Sequence, residues 1–169
     1  NQLNREDIYI VDELGSDDKW KNLVGLNYRD FINKKVFLEK WCYDLQAMDV
    51  EAIIHMGANS STTEKDADFL LENNYRYTYE LAKACIFSDI RFVYASSAAT
   101  YGDGSLGFSD DETLLNKLQP LNMYGYSKAL FDKYALKSGW LNKIAGIKFF
   151  NVYGPNEFHK GDMRSVVHK

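Results

Sequence analysis

A tyrosine and a lysine four positions apart, Tyr124 and Lys128, are the residues of this chain best suited to chemistry. In a helix this spacing puts both side chains on one face, one turn apart. Ser97 ends the strand-like run Arg91–Ser97, and a serine at the end of a buried strand can point at the same spot. A phenol, an ammonium and a hydroxyl can together take a proton from an alcohol while a hydride leaves its carbon.

The spacing alone proves little, because a Tyr-x-x-x-Lys match is expected about once by chance in a chain with 12 Tyr. A second match, Tyr79 with Lys83, lies inside a long helical pattern with no strand-end serine ahead of it. We interpret Tyr79 as structural. For Tyr124 the alternative interpretation is a buried tyrosine of an amphipathic helix, with Lys128 solvated.

Charge suggests a role for each group. A free tyrosine hydroxyl titrates near pH ~10, and a neighbouring ammonium and a cationic nicotinamide both favour its phenolate form. Tyr124 could then act as a base near neutral pH and return the proton as an acid. Ser97 would hydrogen-bond the reacting oxygen.

Strands and helices must alternate to position these groups. Apolar runs predict strands over residues 8–11, 50–58, 91–97 and 144–152, with another short one over 23–26. Helical spacing predicts helices over residues 34–41, 66–87 and 124–138. The alternation predicts an α/β fold, a Rossmann-like doubly wound parallel sheet covered on both faces.

Ligands bind such sheets at the carboxyl ends of the strands. Asp12, Gly57, Ala58, Ser97 and Asn151 all collect at predicted strand ends. An acid such as Asp12 can accept hydrogen bonds from an adenosine ribose, although alone it would be a solvated loop acid. Small residues after the strand let a flat cofactor approach the backbone, and the hydroxyl residues that follow also favour a helix cap.

The letters of a glycine fingerprint occur at residues 102–107, but they do not open a helix. A phosphate-binding turn needs helix N–H groups directed at the pyrophosphate. We interpret this segment as a surface turn and expect the phosphate turn to precede Asp12, outside this sequence.

Composition excludes several classes of protein. The chain has 169 residues, 46% of them hydrophobic and 2 of them Pro, which indicates one ordered domain. Its net charge of −4 and dispersed basic residues do not suggest a nucleic-acid or membrane surface, and no run is long enough to span a bilayer. Cys42 and Cys85 are predicted to be buried thiols of a reducing cytoplasm. The histidines His55, His159 and His168 lack metal-ligand spacing.

Three segments resemble the extended short-chain dehydrogenases that act on nucleotide sugars. They are Ser-Ser-Ala-Ala-x-Tyr-Gly from residue 96, Tyr-x-x-x-Lys from 124 and Phe-Phe-Asn-Val-Tyr-Gly-Pro from 149. Within that group, Ser-Ser-Thr-Thr at 60–63 and His-Lys-Gly at 159–161 are the segments most similar to the ADP-L-glycero-D-manno-heptose 6-epimerase family. The resemblance covers nearly the whole chain.

The resemblance implies an NADP-dependent epimerase, with NAD as the alternative cofactor, that acts on ADP-heptose for the lipopolysaccharide inner core. Hydride would leave C6″, the resulting ketone would reorient, and the hydride would return to the other face. The resemblance further implies a cytoplasmic homo-oligomer, with a pentamer as the state to test. Residues 1–155 would be a partial NADP-binding Rossmann domain and residues 156–169 the start of the substrate-binding region. The N-terminal phosphate-binding βα unit and the C-terminal substrate domain would be missing.

The family's site positions map onto this sequence residue by residue. The catalytic positions are Tyr124 and Lys160 as two acid–base groups, with Ser97 and Lys128. The cofactor positions are Asp12, Glu13, Lys19, Lys34, Met56, Gly57, Ala58, Asn59, Ser60, Asn73, Lys128, Val152 and Lys160. The substrate positions are Asn151 and Asp162.

Two of these positions depart from the family pattern. Glu13 puts an acid close to any ribose 2′-phosphate, which weakens NADP relative to NAD, whereas Lys19 and Lys34 favour NADP. Asp162 puts an acid near a diphosphate. Taken alone, Lys19, Lys34 and Lys160 would each be interpreted as a surface or loop lysine.

Rival functions remain open. A 4,6-dehydratase needs carboxyl groups beside the strand-end hydroxyl, but Ser97 is followed by Ala98 and Ala99. A plain reductase would use the same serine, tyrosine and lysine for one net hydride transfer. A non-catalytic dinucleotide sensor could lose the tyrosine or the lysine, and both are kept here.

Overall fold

The computed structural model describes residues 7–167, apart from the side chains of Asp162 and Met163. His168 lies outside the described residues. The chain forms two compact units. The first joins Asn1–Trp41 with Asn151–Lys169, and the second is Cys42–Phe150.

The first unit contains a parallel pair of strands, β1 (Tyr9–Asp12) and β2 (Asp30–Asn33), in which Asp12 lies opposite Asn33. β1 was predicted to within one residue, whereas β2 was not predicted. The strand predicted over residues 23–26 is wrong. Asp17 caps a 3-10 helix over Asp18–Leu23 by accepting a hydrogen bond from the Lys19 N–H, and a turn follows in which Gly25 has a φ of +80°.

The helix predicted over residues 34–41 is confirmed. Asn33 caps it by accepting a hydrogen bond from the Lys35 N–H, and α1 (Lys34–Val36) continues as a π-helical turn over Phe37–Trp41. At the other end of this unit, a 3-10 helix covers Phe158–Met163.

The second unit is built on a parallel sheet of three strands. They are β3 (Ala52–His55), β4 (Arg91–Ser97) and β5 (Ile144–Phe149), with β4 in the middle. His55 lies opposite Tyr94, and Ser97 lies opposite Phe149. The carboxyl ends of the three strands therefore share one edge of the sheet.

Long helices connect these strands. The first consists of α2 (Ala67–Leu70), a π-helical stretch over Leu71–Arg76 and α3 (Tyr77–Phe87); the second is α4 (Met123–Lys137). Asp66 caps α2 by accepting a hydrogen bond from the Phe69 N–H. Three 3-10 helices lie over Ala98–Tyr101, Glu112–Lys117 and Trp140–Asn142. Both long helices were predicted to within one residue at each end.

The core lies on one face of the three-stranded sheet. Phe92 and Tyr94 are buried, and the Tyr94 ring meets the Phe131 ring of α4 edge-on, with centroids 4.8 Å apart. On the opposite face, Ile54 and Ile147 are 70% and 44% exposed. The parallel α/β architecture was predicted correctly. The described strands form a pair, β1–β2, and a three-stranded sheet in the order β3–β4–β5.

Two composition-based expectations concern the thiols and membranes. Cys42 and Cys85 are free and buried, and burial raises their pKa values to about 11 and about 12, so both remain protonated thiols. Within residues 7–167, no helix has the length and apolar character needed to cross a bilayer. The same residues contain no cluster of three or more metal-ligating side chains.

Candidate active site

Ser97 is fixed where β4 ends. Its hydroxyl oxygen accepts a hydrogen bond from the Ala99 N–H at 3.1 Å, and its carbonyl accepts one from the Thr100 hydroxyl at 2.7 Å. The residue is buried at the carboxyl edge of the sheet. A hydroxyl carries one donor and two acceptor sites, so the Ser97 proton is left to donate to a bound oxygen.

Helix α4 presents Tyr124 and Lys128 one turn apart. It begins after Asn122, whose side chain accepts a hydrogen bond from the Gly125 N–H at 2.8 Å. Lys128 is 4% exposed, and its ammonium donates to the carbonyl of Ala95 on β4 at 2.8 Å. The interpretation of Lys128 as a solvated lysine is therefore wrong.

Burial sets the titration of Lys128. Desolvation lowers its pKa to about 8, and the carboxylate of Asp132 opposes that shift. At neutral pH Lys128 thus remains mostly protonated although it is buried. A cation held in this way can stabilise a negative charge that develops nearby.

Gly125 brings α4 against the turn that contains Ser97. A Cβ at this position would lie 2.7 Å from the carbonyl oxygen of Ala99 and 3.1 Å from the side chain of Pro120. Backbone therefore packs on backbone at the residue directly after Tyr124. Glycine at this position is what allows the helix to approach the Ser97 turn.

The loop after β3 is exposed and made of small residues. Gly57, Ala58 and Ser60 are exposed, and Met56 is 46% exposed. A Cβ on Gly57 would meet only the imidazole ring of His55, at 3.6 Å. The backbone of this loop is therefore open to a flat ligand.

A buried asparagine ties this loop to helix α4. Asn74 is fully buried, accepts from the Asn59 N–H and donates to the Asn59 carbonyl, both at 2.9 Å. Its amide also donates to the Ser127 hydroxyl at 3.0 Å, and that hydroxyl donates to the carbonyl of Tyr124 at 2.7 Å. The loop and the backbone of Tyr124 thus belong to one hydrogen-bonded network.

The prediction of a cofactor role fell on Asn73, the neighbour of Asn74. The Asn73 amide donates to the carbonyl of Phe69 within its own helix at 2.8 Å. Asn74 was missed. The available signal was two adjacent asparagines in the middle of a helical pattern, where asparagine is a poor helix former.

His55 is a core residue. Its ring stacks on Phe92 with centroids 6.1 Å apart, and its Nε2 lies 3.0 Å from the Thr78 hydroxyl. Burial lowers the pKa of His55 to about 3, so the imidazole is neutral at physiological pH.

In the first unit, ion pairs join the two acids at the end of β1, Asp12 and Glu13, to the two lysines predicted for a 2′-phosphate. The Lys19 ammonium lies 2.7 Å from the Asp12 carboxylate, and the Lys34 ammonium lies 2.8 Å from that of Glu13. The hydrogen bond from Lys34 lowers the pKa of Glu13. Surface pairs of this kind contribute little stability, so a bound phosphate could replace the acids as partners.

Lys160 and the predicted substrate residues also lie in the first unit. The Lys160 ammonium lies 3.9 Å from the carboxylate of Glu157. Hydrogen bonds from the N–H groups of Ser165 and Gly154 hold the pKa of Glu157 at about 2. Asn151 and Val152 are exposed, and the side chain of Asp162 lies outside the described residues.

A model of the NAD dependent epimerase/dehydratase family matches residues 1–169. The chain belongs to this family.

The curated relatives that this chain matches are also named as epimerases. The ADP-L-glycero-D-manno-heptose-6-epimerase of Nitratidesulfovibrio vulgaris (strain Hildenborough) is 57% identical over 169 residues, which cover 100% of this chain and 52% of that protein. The chain therefore spans about half the length of the curated relatives it matches.

Two solved structures of epimerases have the same fold. The crystal structure of ADP-L-glycero-D-manno-heptose-6-epimerase from Helicobacter pylori matches with a TM-score of 0.79 and 26% identity, over 98% of this chain and 53% of that one. UDP-glucuronic acid 4-epimerase from Bacillus cereus, in complex with NAD, matches with a TM-score of 0.67 and 25% identity, over 88% and 50%. The predicted Rossmann-like fold is confirmed.

The glycine-rich segment over residues 102–107 is a surface turn, as predicted. Residues 102–107 follow the 3-10 helix Ala98–Tyr101, lie in turns and do not open a helix. Its three glycines, Gly102, Gly104 and Gly107, have positive φ angles, which is typical of tight turns.

Proposed function

We propose that the full-length protein containing this chain inverts C6″ of ADP-D-glycero-D-manno-heptose to give the L-glycero epimer, through a transient ketone. The observation that carries the chemistry is the buried Lys128, one turn from Tyr124 on a helix packed against the Ser97 turn. The substrate is supported by the relative from Nitratidesulfovibrio vulgaris, which is named for this reaction.

Each side chain has a defined task in this proposal. Ser97 donates its free proton to the sugar oxygen and orients it. Tyr124 takes the proton of the C6″ hydroxyl as the ketone forms and gives a proton back when the ketone is reduced. The Lys128 ammonium stabilises the phenolate that Tyr124 carries before it takes that proton and after it gives the proton back. A bound nicotinamide cofactor would supply the hydride chemistry, as acceptor when C6″ is oxidised and as donor when the ketone is reduced from its other face.

Features of each unit, taken separately, suit a nicotinamide dinucleotide. The open loop at Met56–Ser60 would receive its flat part, and Asp12 would accept hydrogen bonds from the adenosine ribose. We favour NADP over NAD because Lys19 and Lys34 would contact a 2′-phosphate, although Asp12 and Glu13 pair with them here. Dissociation constants of NADP and NAD for wild type and Lys34→Met would test this. A loss of affinity confined to NADP supports the assignment, and equal losses contradict it.

A ketone that is reduced from either face needs a proton donor near each face. We propose Lys160 as the second acid–base group, with Asn151 and Asp162 as substrate contacts. Lys160 is supported by the family resemblance and by its exposed position in a 3-10 helix. Lys160→Met should abolish at least one direction of epimerisation and, because a catalyst leaves the equilibrium constant unchanged, lower the other as well; wild-type rates in both directions would contradict this role.

The remaining assignments concern the whole protein. We propose that its product enters the lipopolysaccharide inner core, that it works in the cytoplasm and that it is a homo-oligomer, with a pentamer as the first state to test by light scattering. Residues 1–155 are assigned to the cofactor-binding domain and residues 156–169 to the start of the substrate-binding region.

The decisive experiment incubates full-length protein with ADP-D-glycero-D-manno-heptose and no added cofactor. Both epimers are followed by chromatography, and the reduced cofactor is followed by absorbance. Interconversion without net change in NADPH is expected. Stoichiometric NADPH use would indicate a reductase instead, loss of water a dehydratase, and no turnover a non-catalytic dinucleotide-binding protein.

A further inference from the structure

Asp132 is a buried acid on α4, one turn beyond Lys128. It is 3% exposed, and its carboxylate accepts three hydrogen bonds. Oδ1 accepts from the Tyr94 hydroxyl at 2.9 Å, and Oδ2 accepts from the Ser96 hydroxyl at 2.6 Å and the Lys148 ammonium at 3.0 Å. One carboxylate thus joins α4 to β4 and to β5.

A glycine makes room for this arrangement. Gly146 lies opposite Tyr94 in the β4–β5 pair, and a Cβ there would lie 2.5 Å from the Tyr94 ring. Without that side chain, the ring lies across β5 and its hydroxyl reaches Asp132.

Two routes lead from Asp132 to Ser97. The first is direct, because Ser96 precedes Ser97 in the strand. The second runs through Lys148, whose ammonium also donates to the Thr100 hydroxyl. That hydroxyl donates to the Ser97 carbonyl at 2.7 Å. The residues on both sides of the Ser97 hydroxyl are therefore tied to the same carboxylate.

Asp132 also holds the two strand residues on either side of Ala95, the residue to which Lys128 is hydrogen-bonded. The Lys128 ammonium binds the carbonyl of Ala95, and Asp132 binds the side chains of Tyr94 and Ser96 on either side of it. Any shift of this strand relative to α4 would move Ser97 and Lys128 together.

We propose that Asp132 is a positioning residue, which does not touch substrate but holds Ser97 and Lys128 in place for proton transfer at Tyr124. This inference rests on the proposed function. A buried ion pair is often no more stabilising than apolar residues of similar volume. The geometry of the strand end, rather than stability, is what this carboxylate supplies.

The charge of Asp132 should have a measurable effect on the pKa of Lys128, which a role in packing alone would not have. Lys128 interacts electrostatically with Asp132 on α4 and with His55 on β3, which is neutral, and Tyr124 lies one turn before it on α4. Lys148 of β5 and Tyr94 of β4 reach Asp132. The Asp132 carboxylate raises the pKa of Lys128 against the effect of burial. Removing that charge should lower this pKa further, so that Lys128 loses its proton at a lower pH.

The test uses the full-length enzyme with Asp132→Asn, and with Asp132→Asn/Lys148→Met so that the Lys148 ammonium is not left without its carboxylate partner. Both variants should lower kcat at least tenfold and change KM less than threefold. The alkaline limb of the kcat–pH profile should move to lower pH in both. Asp68→Asn, which removes an exposed acid from α2, is the matched control and should match wild type.

Wild-type kcat in the folded double variant would overturn the inference, as would a loss of kcat with an unmoved alkaline limb. A readout without substrate separates this from failure of the proposed function. In protein labelled with ¹⁵N-lysine, the Lys128 titration should shift to lower pH in Asp132→Asn. An unshifted titration overturns the inference even if wild type is active; an inactive wild type with a shifted titration overturns only the proposed function.

Discussion

Two helices of the unit Cys42–Phe150 carry the same Tyr-x-x-x-Lys spacing in different surroundings. The Lys83 side chain is 51% exposed, and its ammonium lies 5.9 Å from the Tyr79 ring centre and 4.0 Å from the Glu80 carboxylate. Lys128 is 4% exposed and bonded to the backbone of β4. The lysine is a surface charge in one motif and a buried cation in the other.

The two tyrosines differ as well. The Tyr79 ring stacks on Trp140 and meets Tyr134 edge-on, with centroids 5.6 and 5.1 Å apart, and its hydrogen bond with Tyr134 raises the pKa of Tyr79. Tyr124 instead precedes the glycine that packs against the Ser97 turn. Spacing puts a pair on one helix face, and the element behind that face decides whether the pair is packed or can do chemistry.

The largest expected difference between the motifs is at the tyrosines. Tyr124→Phe in the full-length enzyme should lower kcat by about 10²- to 10⁴-fold, because it removes a general acid–base. Tyr79→Phe should keep kcat within about twofold, since it loses only a hydrogen bond within an aromatic cluster. Epimerisation assays measure both. Comparable losses of kcat in the two variants would show that the two motifs do not differ in function.

The lysines should differ next. Lys128→Met should lower kcat by about 10²-fold, the usual cost of removing one preorganised charge from a site. Lys83→Met should have no measurable effect, because its ammonium is exposed to solvent. Circular dichroism checks that both variants are folded. Full activity in Lys128→Met would show that its buried cation is structural only.

The pH dependence of the free energy of unfolding should also distinguish Lys128 from Lys83. The folded pKa of Lys128 is about 8 against an ordinary value of 10.5, so between these pH values the folded state holds fewer protons than the unfolded state. The burial penalty acts fully below pH 8 and is relieved as the pH rises to 10.5.

Relative to Lys128→Met, the wild-type free energy of unfolding should therefore rise by about 3 kcal/mol across that window. Denaturant unfolding at several pH values measures it. Lys83→Met should run parallel to wild type, and parallel curves for Lys128→Met would refute the shift.

A smaller effect is expected at the residue after each tyrosine. Gly125→Ala would place a Cβ 2.7 Å from the Ala99 carbonyl and should destabilise the protein by about 1–3 kcal/mol. Helix propensity alone would give the opposite sign, by about 1 kcal/mol. kcat should fall about tenfold because the Ser97 turn shifts. Glu80→Ala is the control and should leave kcat unchanged; a stabilised and fully active Gly125→Ala would contradict the close approach.

Much of the fold follows from local pattern. β4 was predicted residue for residue because it contains a continuous apolar run, residues 92–95. β2 was missed because only Phe31 and Ile32 are apolar in it, between Asp30 and Asn33. The last strand ends at Phe149 rather than 152, where apolar letters continue after strand pairing has ended.

The site was only partly predictable. The sequence singled out Ser97, Tyr124 and Lys128 because each has a local signal, and their catalytic roles stay predictions. Asp132 and Asn74 were missed because a charged or polar residue in a helix usually faces solvent. Their burial depends on partners from other elements of the fold, and a single sequence does not indicate which elements will come into contact.

The partners of Asp132 come from both sides of it in the sequence. Tyr94 and Ser96 precede α4, whereas Lys148 follows it. During synthesis, which delivers the N-terminal part first, α4 would emerge with this carboxylate lacking its cation. An unpaired buried charge is costly, so α4 would settle on β4 only once β5 arrives. The arrival of β5, the last of the three strands, would then complete the positioning of Tyr124 and Lys128, the pair that we propose to be catalytic.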